Sequence, residues 1–404
     1  MKLLFLSDNF PPEVNAPANR TYEHCKEWVK QGISVTVITC VPNFPKGKVY
    51  EGYKNKLYQK EIIDGIEVIR VWTYITANEG FIKRILDYLS FAFMSFFAGL
   101  FIKADLIIAT SPQFFTAVSG CFLSLFKRKK WVMEVRDIWP ESIVAVGAMK
   151  RNLIIRFFEW VEKRLYKSAD HIVVVTESFK KKLISRGVIP EKISVFKNGA
   201  NMELFQPIEK PWHLLKKYSL EGKFVIAYIG THGMAHGLHF ILESVAEIQN
   251  SHSEIVFVFI GDGAEKKNLI QKANVKNLTN VLFIDSVPKN LVNEYLNMTD
   301  VALVNLKKSD TFQEVIPSKI FEAAATRKPI LLGLEGETKE IINNYNAGIT
   351  FSPEDKNSFL KSVLILYQDP ESYSKFKNGC EKLATDFDRK LIAKAMIRKL
   401  NTIV

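Results

Sequence analysis

Two acidic residues, Glu314 and Glu322, flank the short segment Val-Ile-Pro-Ser-Lys-Ile-Phe. Glu322 is followed by three alanines, and a carboxylate on so apolar a helix is costly unless it is hydrogen-bonded. A vicinal diol, as on a ribose, would offer it two donors. Because the chain holds 29 Glu in 404 residues, the spacing alone carries little weight. The residues between the two acids must therefore decide whether they belong to a site.

Those residues indicate how a helix would position the acids. Pro317 fits the first turn of a helix, where its missing N–H leaves no bond unmade. We expect this helix over residues 320–326, with Glu314 in the loop before it. The open amides near Ser318, together with the Lys319 ammonium, would then form a phosphate site.

A structural interpretation of the two acids is also open. Glu314 would then be a solvated loop acid, and Glu322 would pair with Arg327 or Lys328, the cations that follow the helix. The Pro-Ser-Lys helix start and the apolar strand predicted from Pro329 onward favour the site, as does the need to satisfy a carboxylate in apolar surroundings.

Short runs rich in β-branched residues alternate with helix-length segments along the whole chain. Many runs are apolar almost throughout, as strands covered on both faces of a parallel sheet are. The alternation predicts an α/β fold of two doubly wound, Rossmann-like domains facing each other across a cleft, where ligands are preferred. The predicted strands are residues 2–6, 35–39, 66–71, 106–110, 131–135, 172–175, 224–229, 255–260, 281–284, 301–304, 330–332 and 348–351.

The domain boundary is indicated by Pro207 and Pro211, which interrupt the alternating pattern. We place an N-terminal domain at residues 1–205. A C-terminal domain would follow at 206–385. The last segment, 386–404, is expected to be a helix that packs back on the N-terminal domain.

The net charge of +12 is concentrated in the first half of the chain. Residues 1–207 hold 30 Lys and Arg against 20 Asp and Glu, whereas residues 208–404 hold 25 against 23. A basic half suggests an anionic partner: nucleic acid, an anionic lipid surface or a phosphorylated small molecule. The aromatic residues cluster in apolar runs rather than among cations, so nucleic acid is disfavoured.

Several other signals are missing from the sequence. No G-x-G-x-x-G motif follows a strand and no P-loop is present, which argues against a dehydrogenase and a P-loop enzyme. The four cysteines lie far apart and the seven histidines form no H-E-x-x-H, so no metal is expected. The N-terminus shows no apolar run typical of a signal peptide, so we expect a cytoplasmic protein.

An apolar stretch at residues 88–102 holds fifteen uncharged residues, including five Phe. It is too short to span a bilayer comfortably, which takes about 20 residues. A second apolar run, residues 114–126, ends in four cations. We expect an interfacial patch on lipid, with a buried helix and a solvated turn as the alternative. The predicted patch consists of Phe91, Phe93, Phe96, Phe97, Lys127, Arg128, Lys129 and Lys130.

Several motifs occur together along nearly the full length of the chain. They are Phe10-Pro-Pro-Glu13, Arg136-Asp-Ile-Trp-Pro-Glu141, Asn198-Gly199, Tyr228-Ile-Gly230, Gly261-Asp-Gly263 and Glu314…Glu322. In combination they resemble the family-4 retaining glycosyltransferases of the GT-B fold, whose hallmark is two glutamates separated by seven residues. The likeness is strongest to L-fucosamine transferases of bacterial surface-polysaccharide clusters.

The resemblance implies a nucleotide-sugar donor, bound mainly by the C-terminal domain without a metal ion or other cofactor. Glu322 would hold the ribose hydroxyls, Glu314 would contact the donor sugar near the reacting centre, and Asp137 would lie close to the transferred sugar. It also implies retention, with the leaving diphosphate helping to take the acceptor proton. The donor side is expected to comprise Glu322, Ser318, Lys319, Ile316, Gly230, Thr231, His232, His236, Gly261 and Asp262, and the acceptor side Asn15, Ala16, Arg20 and Arg136.

The sequence departs from the family at its phosphate-binding loop. The usual pattern is Gly-Arg-x-x-x-x-Lys-Gly, whereas residues 230–237 carry Thr231 and His236 in place of the two cations. We expect backbone amides, Lys319, and His232 or His236 in protonated form to compensate. In the alternative interpretation the glycines only turn the chain into the next helix.

Three charged residues of the N-terminal domain have two interpretations each. Arg20 would meet an acceptor phosphate or would be an ordinary surface residue in the first turn of a helix. Arg136 and Asp137 follow a strand, at the end where α/β sheets place ligands. A structural salt bridge from Asp137 to Arg136 or Arg20 is the alternative.

The resemblance thus implies a transferase that moves N-acetyl-L-fucosamine or a similar N-acetylated amino sugar from a UDP-sugar to a polyprenyl-diphosphate-linked saccharide in O-antigen biosynthesis. It would act peripherally on the anionic cytoplasmic face of the inner membrane, with no nucleic acid as partner. The alternatives are a nucleotide-sugar epimerase of the same bilobal fold and a basic membrane- or nucleic-acid-binding protein without catalysis.

Overall fold

A computed structural model describes residues 1–44, 46–76, 81–111, 114–141, 144 and 152–404. The chain forms two compact units, Met1–Lys197 together with Arg389–Val404, and Asn198–Asp388. The boundary after Lys197 lies earlier in the chain than the boundary predicted from the sequence, which followed residue 205. The reason is that Ala200 bridges to Asp388 and Phe205 packs in the core of the second unit.

The first unit is built on one sheet. Its described strands are β1 (Lys2–Leu6), β2 (Ser34–Cys40), β3 (Tyr58–Ile63), β4 (Ile66–Val71), β5 (Leu106–Thr110), β6 (Lys130–Val135), β7 (His171–Val174) and β8 (Ile193–Val195). They lie in the order β3-β4-β2-β1-β5-β6-β7-β8, and only β3 runs antiparallel to its neighbour among them. β5 is buried in every residue, as expected for a strand covered on both faces. β3 exposes alternate residues, which is typical of an edge strand.

Helices precede and follow these strands, and α1 shows how one of them begins. The Asn15 side-chain oxygen accepts the amide of Ala18 at 2.9 Å, and Pro17 stands in the first turn. Both features favour a helix start at this point. The described helices that precede residue 198 are α1 (Ala16–Lys30), α2 (Phe81–Leu100), α3 (Phe114–Lys127), α4 (Leu153–Ser168) and α5 (Glu177–Ser185).

The second unit has a sheet in which neighbouring strands are all parallel. Its strands are β9 (Phe224–Ile229), β10 (Ile255–Ile260), β11 (Val281–Ile284), β12 (Val301–Asn305), β13 (Ile330–Gly333) and β14 (Gly348–Thr350). Their order is β11-β10-β9-β12-β13-β14. The direction of winding reverses between β9 and β12, and sheets of this kind bind ligands at the carboxyl ends of the two strands that flank the reversal.

The helices of the second unit cover its sheet, and α11 contributes most to the core beside the candidate site. Its Ile320 and Phe321 are fully buried, and its alanines allow close packing against α14. The helices are α6 (Trp212–Lys217), α7 (Leu238–Ile248), α8 (Lys266–Val275), α9 (Val292–Met298), α10 (Asp310–Gln313), α11 (Lys319–Ala325), α12 (Glu337–Tyr345), α13 (Lys356–Gln368) and α14 (Pro370–Asp386).

The last helix, α15 (Arg389–Asn401), belongs to the first unit. It packs on α1, where Trp28 Nε1 donates to the Ala393 carbonyl at 2.8 Å and Arg389 pairs with Glu23. Both units are therefore doubly wound α/β domains, which confirms the predicted fold class.

Candidate active site

The loop after β9, residues 230–237, lies where the second sheet reverses its winding. The His232 amide donates to the Asp262 carbonyl, in the loop after β10, at 2.8 Å. On the other side, Asn305 Nδ2 at the end of β12 donates to the His236 carbonyl, also at 2.8 Å. These two bonds tie the loop to its neighbours on both sides.

Gly230 and Gly261 are required where these loops approach each other. Their φ angles are +142° and +141°, which L side chains rarely adopt. A Cβ on Gly261 would collide with the Gly230 carbonyl, and a Cβ on Gly230 would collide with the Lys319 ammonium. The glycines therefore do more than turn the chain, since they leave room for Lys319 beside the loop.

Lys319, the first residue of α11, reaches this loop with its side chain. Its Nζ donates to the Tyr228 hydroxyl at 2.8 Å and lies 4.0 Å from the centre of the Tyr228 ring. The Tyr228 hydroxyl donates in turn to the Thr231 carbonyl at 2.7 Å. Burial lowers the pKa of Lys319 to about 7, although the Glu322 charge opposes the shift. A bound anion would favour its charged form.

His232 and His236 do not supply positive charge at neutral pH. Burial, reinforced by the Lys319 charge, lowers the pKa of each ring to about 4. His232 has no exposed surface, and neither of its ring nitrogens has a hydrogen-bond partner among the described residues. The expectation that protonated histidines replace the two missing cations is wrong, because burial keeps both rings neutral.

The predicted glutamates lie on either side of the start of α11. Glu314 directly follows α10, Ser318 directly precedes α11, and Glu322 is a half-buried residue within that helix. Ile316 is buried in the core of the second unit, so its backbone, rather than its side chain, is what could face a ligand.

The cations considered as partners for Glu322 have other partners. Arg327 pairs with Glu381, and Lys328 Nζ donates to a backbone carbonyl at 3.1 Å. The negative charge of Glu322 acts on Lys319 and raises its pKa, which opposes the lowering caused by burial. This arrangement favours a role for Glu322 beside the lysine over the structural ion pair.

Arg20 lies in the core of the first unit and is 2% exposed. Its Nε donates to Glu134 Oε1 at 3.0 Å, and its terminal nitrogens donate to the carbonyls of Phe196 and Lys197 at 2.8 and 3.0 Å. Burial lowers the pKa of Arg20, and the Glu134 charge opposes this shift. The surface interpretation of Arg20 is wrong, since its guanidinium joins α1 to β6 and to the end of the 1–197 segment.

Arg136 and Asp137 directly follow β6. Their amides donate to Ser111 Oγ at 2.8 and 3.3 Å, which fixes them at the carboxyl ends of β5 and β6. The Arg136 guanidinium donates to the Pro17 carbonyl at 3.3 Å. Burial lowers the pKa of Arg136 to about 10, with the Glu134 carboxylate opposing the shift. Within the described chain, Arg136 Nε is buried and has no hydrogen-bond partner.

Asn15 and Ala16 stand at the start of α1, after the loop that follows β1. Besides capping the helix, Asn15 donates from Nδ2 to Asn9 Oδ1 at 2.6 Å. Ala16 is exposed. The Asn15 side chain therefore connects this loop to the helix.

Three polar residues that bond to Arg20, to Lys319 or to the 230–237 loop were not among the predicted site residues. They are Glu134, Tyr228 and Asn305. Each stands in a strand that is otherwise almost wholly apolar and buried. Because an unsatisfied polar group is costly in such a position, a lone polar residue in an apolar strand is the signal that could have found them.

Helices α2 and α3 expose part of an apolar face. Phe93 and Phe97 are 62% and 44% exposed, and Phe96 is half-buried. An almost wholly apolar cavity of about 1060 Å³ lies beside them and is also lined by Phe126. Phe91 is fully buried in the core of the first unit, so its assignment to the exposed patch is wrong.

Cations follow this face at the end of α3. Arg128, Lys129 and Lys130 are exposed, and Lys130 pairs with Asp170 at 2.9 Å. Lys127 is half-buried and donates to a carbonyl at the end of α2 at 2.9 Å. The exposed cations thus adjoin the exposed phenylalanines.

Two properties of the described residues bear on membranes and metals. None of the helices there is both long and apolar enough to cross a bilayer. Nor do these residues include a group of three or more His, Cys, Asp or Glu side chains that could hold a metal ion.

Both halves of the chain match known families. Residues 15–199 match a family model described as a glycosyl transferase 4-like domain, and residues 212–383 match one described as glycosyl transferases group 1. The chain belongs to the glycosyltransferases. Each half of this glycosyltransferase therefore carries one recognised transferase domain.

Relatives of this glycosyltransferase include proteins named for polysaccharide synthesis. It is 26% identical over 349 residues to WcaI of Escherichia coli (strain K12), named as a glycosyl transferase of colanic acid biosynthesis, with 84% of each chain covered. It is 25% identical over 283 residues to the capsular polysaccharide biosynthesis glycosyltransferase CapM of Staphylococcus aureus, which covers 66% of this chain and 71% of CapM.

Solved structures share the architecture of this glycosyltransferase. Sucrose-phosphate synthase from Thermosynechococcus elongatus has a TM-score of 0.79 at 15% identity and covers 100% of this chain and 98% of its own. Anabaena HepE in complex with UDP and glucose has a TM-score of 0.74 at 16% identity, with 99% of each chain covered. At this identity the likeness shows the fold, which is GT-B.

Proposed function

We propose that this glycosyltransferase moves N-acetyl-L-fucosamine, or a similar N-acetylated amino sugar, from a UDP-sugar to a polyprenyl-diphosphate-linked saccharide. The reaction would retain the anomeric configuration, need no metal, and contribute to surface polysaccharide such as O-antigen. The observation that supports the donor site best is the contact of the Lys319 ammonium with Gly230 and Tyr228 at the reversal of the second sheet, which brings a cation and a glycine loop together.

Each further part of the proposal has its own support. HepE was crystallised with UDP, which supports a UDP-linked donor. The names of WcaI and CapM support polysaccharide synthesis. The L-fucosamine assignment is supported by the motif resemblance alone.

In the proposed reaction, an acceptor hydroxyl oxygen bonds to the anomeric carbon while the bond from that carbon to the diphosphate oxygen breaks. Attack comes from the face that the diphosphate leaves, and the acceptor proton passes to a diphosphate oxygen. Lys319 would stabilise the charge on the leaving group, Glu322 would hold the ribose hydroxyls, and Glu314 and Asp137 would contact the donor sugar.

A lipid-linked acceptor and an anionic membrane surface are supported by exposed apolar and cationic side chains of the first unit. The α2 and α3 face with its cations is one such region. A second, not anticipated from the sequence, is α4, where Leu153, Phe157 and Trp160 are 79%, 58% and 54% exposed and Arg164 lies 5.2 Å from the Trp160 ring centre. Aromatic and cationic side chains on one helix face suit the interface of an anionic bilayer. We therefore place the enzyme peripherally on the cytoplasmic face of the inner membrane.

The test is transfer of radiolabelled sugar from a panel of UDP-sugars to a polyprenyl-diphosphate-linked acceptor. We expect Glu314→Ala to reduce transfer at least about hundredfold, as loss of a transition-state contact does. Glu371→Ala, which removes an exposed acid of α14 paired with Lys375, is the matched control and should leave transfer unchanged. Interconversion of the UDP-sugar without any acceptor would instead identify an epimerase, and steeply salt-dependent DNA binding a nucleic-acid-binding protein.

A further inference from the structure

The phosphate-binding loop of this chain has to obtain its positive charge from outside itself. Residues 230–237 contain no Arg or Lys, and both of their histidines are neutral at pH 7. A leaving diphosphate nevertheless needs charge stabilisation. Another cation of the region, Lys266, is already engaged, because its Nζ donates to the Gly261 carbonyl at 2.8 Å and pairs with Asp285.

The Lys319 ammonium lies against Gly230, where the loop begins, and Tyr228 determines where this ammonium lies. Tyr228 is 1% exposed, and it offers the lysine both a hydroxyl acceptor and an aromatic face. The same hydroxyl donates to the Thr231 carbonyl, which anchors it to the loop. The hydroxyl and the ring of Tyr228 thus both restrict the position of a flexible lysine side chain.

We propose that Tyr228 is a positioning residue for the leaving group: its hydroxyl holds the Lys319 ammonium beside Gly230, where this one lysine replaces the two cations missing from the loop. The inference rests on the proposed function and names a residue and a coupling that the family likeness does not supply. Tyr228 acts through Lys319 and needs no contact with the donor.

The arrangement couples donor binding to the protonation of Lys319. The titratable groups that act on Lys319 or are acted on by it are Glu322, Tyr228, His232 and His236. Burial raises the pKa of the Tyr228 phenol and keeps it protonated, and both histidines titrate near pH 4. Lys319, whose pKa burial lowers to about 7, therefore changes most of its charge between about pH 6 and pH 8.

The sign of the coupling follows from the free and bound states. A bound diphosphate raises the pKa of Lys319, so binding above pH 7 draws a proton from the buffer. Affinity is then greatest below pH 7 and falls by up to about tenfold for each pH unit above it.

Calorimetric titration of the full chain with UDP, from pH 6.5 to 8.5 in buffers of different ionisation enthalpy, measures both quantities. The unsubstituted protein should take up close to one proton at pH 8. Tyr228→Phe keeps the ring but removes the acceptor, so the pKa of Lys319 falls and UDP binding at pH 7.5 weakens by about three- to tenfold, with the whole pH profile moved to lower pH. Lys319→Met should abolish proton uptake.

The matched control is Tyr373→Phe, which removes another partly buried hydroxyl bond of the second unit, from Tyr373 to the Asp300 carbonyl at 2.9 Å. It should leave the UDP profile unchanged. If Tyr228→Phe weakens UDP binding equally at every pH while thermal unfolding shifts, its role is structural and the inference is overturned.

A measurement without any nucleotide separates this inference from the proposed function. The rate of Lys319 acetylation by acetic anhydride, followed by peptide mass spectrometry against pH, reports the ionisation of the lysine directly. The pH midpoint of acetylation should be lower in Tyr228→Phe than in the unsubstituted protein, and it should be unchanged in Tyr373→Phe. An unchanged midpoint in Tyr228→Phe overturns the positioning role. Failure of UDP to bind the unsubstituted protein at any pH would count against the proposed donor, whatever the acetylation profile shows.

Discussion

The two buried cations Arg20 and Lys319 differ in how their positive charge is stabilised. Arg20 donates to the carboxylate of Glu134 and to two carbonyls. Lys319 donates to a neutral phenol, and its pKa is lowered by burial. A cation that is matched by a carboxylate and by carbonyls is committed to the fold, whereas a cation held by a phenol keeps the capacity to receive an anionic ligand.

Arg20 and Glu134 should therefore be coupled in stability. We expect Arg20→Met alone, or Glu134→Gln alone, to lower the free energy of unfolding by about 3–5 kcal/mol, because each leaves a buried charge without its partner. Arg20→Met with Glu134→Gln should cost less than the sum of the two single changes. Urea denaturation measures all three variants, and additive costs would show that the pair is not coupled.

At the scale of elements, the sequence predicted the buried strands to within one or two residues, because strands covered on both faces are apolar runs. β3 was missed since it alternates polar and apolar residues at a sheet edge, and β8 since it has three residues. The start of α11 could also be predicted, from Pro317 and Ser318. Contacts such as Arg20 to Glu134, 114 residues apart, and the neutrality of the histidines could not, because burial arises only when the chain has folded.

The exposed faces of α2 and α4 lead to a prediction about lipid binding. We expect Phe93→Glu with Phe97→Glu, and separately Trp160→Glu, to reduce sedimentation of the protein with vesicles that contain anionic lipid, since each places a negative charge at the proposed interface. Val275→Glu, which changes an exposed apolar residue of the second unit, serves as the control.

Sedimentation with anionic and neutral vesicles, measured side by side, decides this point. Equally poor sedimentation with both kinds of vesicle would rule out the interfacial surface. An equal loss in Val275→Glu would show that added negative charge, rather than its position, causes the effect.

At the scale of the whole molecule, the first unit is made from both ends of the chain. Its C-terminal helix α15 buries Met396 and Leu400 against the rest of the unit and receives the Trp28 indole bond. The second unit, by contrast, is one continuous segment, Asn198–Asp388.

Removal of residues 389–404 should therefore destabilise the first unit selectively. Loss of two fully buried apolar side chains exposes their apolar partners and costs several kcal/mol. We expect limited proteolysis of the shortened chain to digest the 1–197 segment while a fragment of the second unit survives. Removal of the exposed Val404 alone is the control and should leave the digestion pattern of the full chain unchanged.

Stability should fall as the solution becomes acidic. Burial lowers the pKa of His24 well below its ordinary value, and those of His171, His232 and His236 to about 4. Their contribution is fully present above pH 6.5, where the unfolded residues are also neutral, and is lost as the pH falls toward 4. Burial raises the pKa of Asp87 to about 7, which acts in the opposite direction.

Burial also raises the pKa of Glu13 and of Glu162. Because the four histidines outnumber these two glutamates and Asp87, we expect the melting temperature to decrease from pH 7 to pH 5. Differential scanning calorimetry at constant ionic strength measures it. A melting temperature that stays constant or rises over this range would contradict the assignment of these rings as buried and neutral.

The placement of α15 also has a consequence for biosynthesis. A ribosome completes the first 197 residues long before it reaches Arg389, and at about 5–20 residues per second the delay is roughly 10 to 40 s. During that time the nascent segment lacks its closing helix and leaves Trp28 and its apolar neighbours without their cover. The first unit therefore begins to emerge before the second unit and is completed after it, so its apolar surfaces stay uncovered for longer during synthesis.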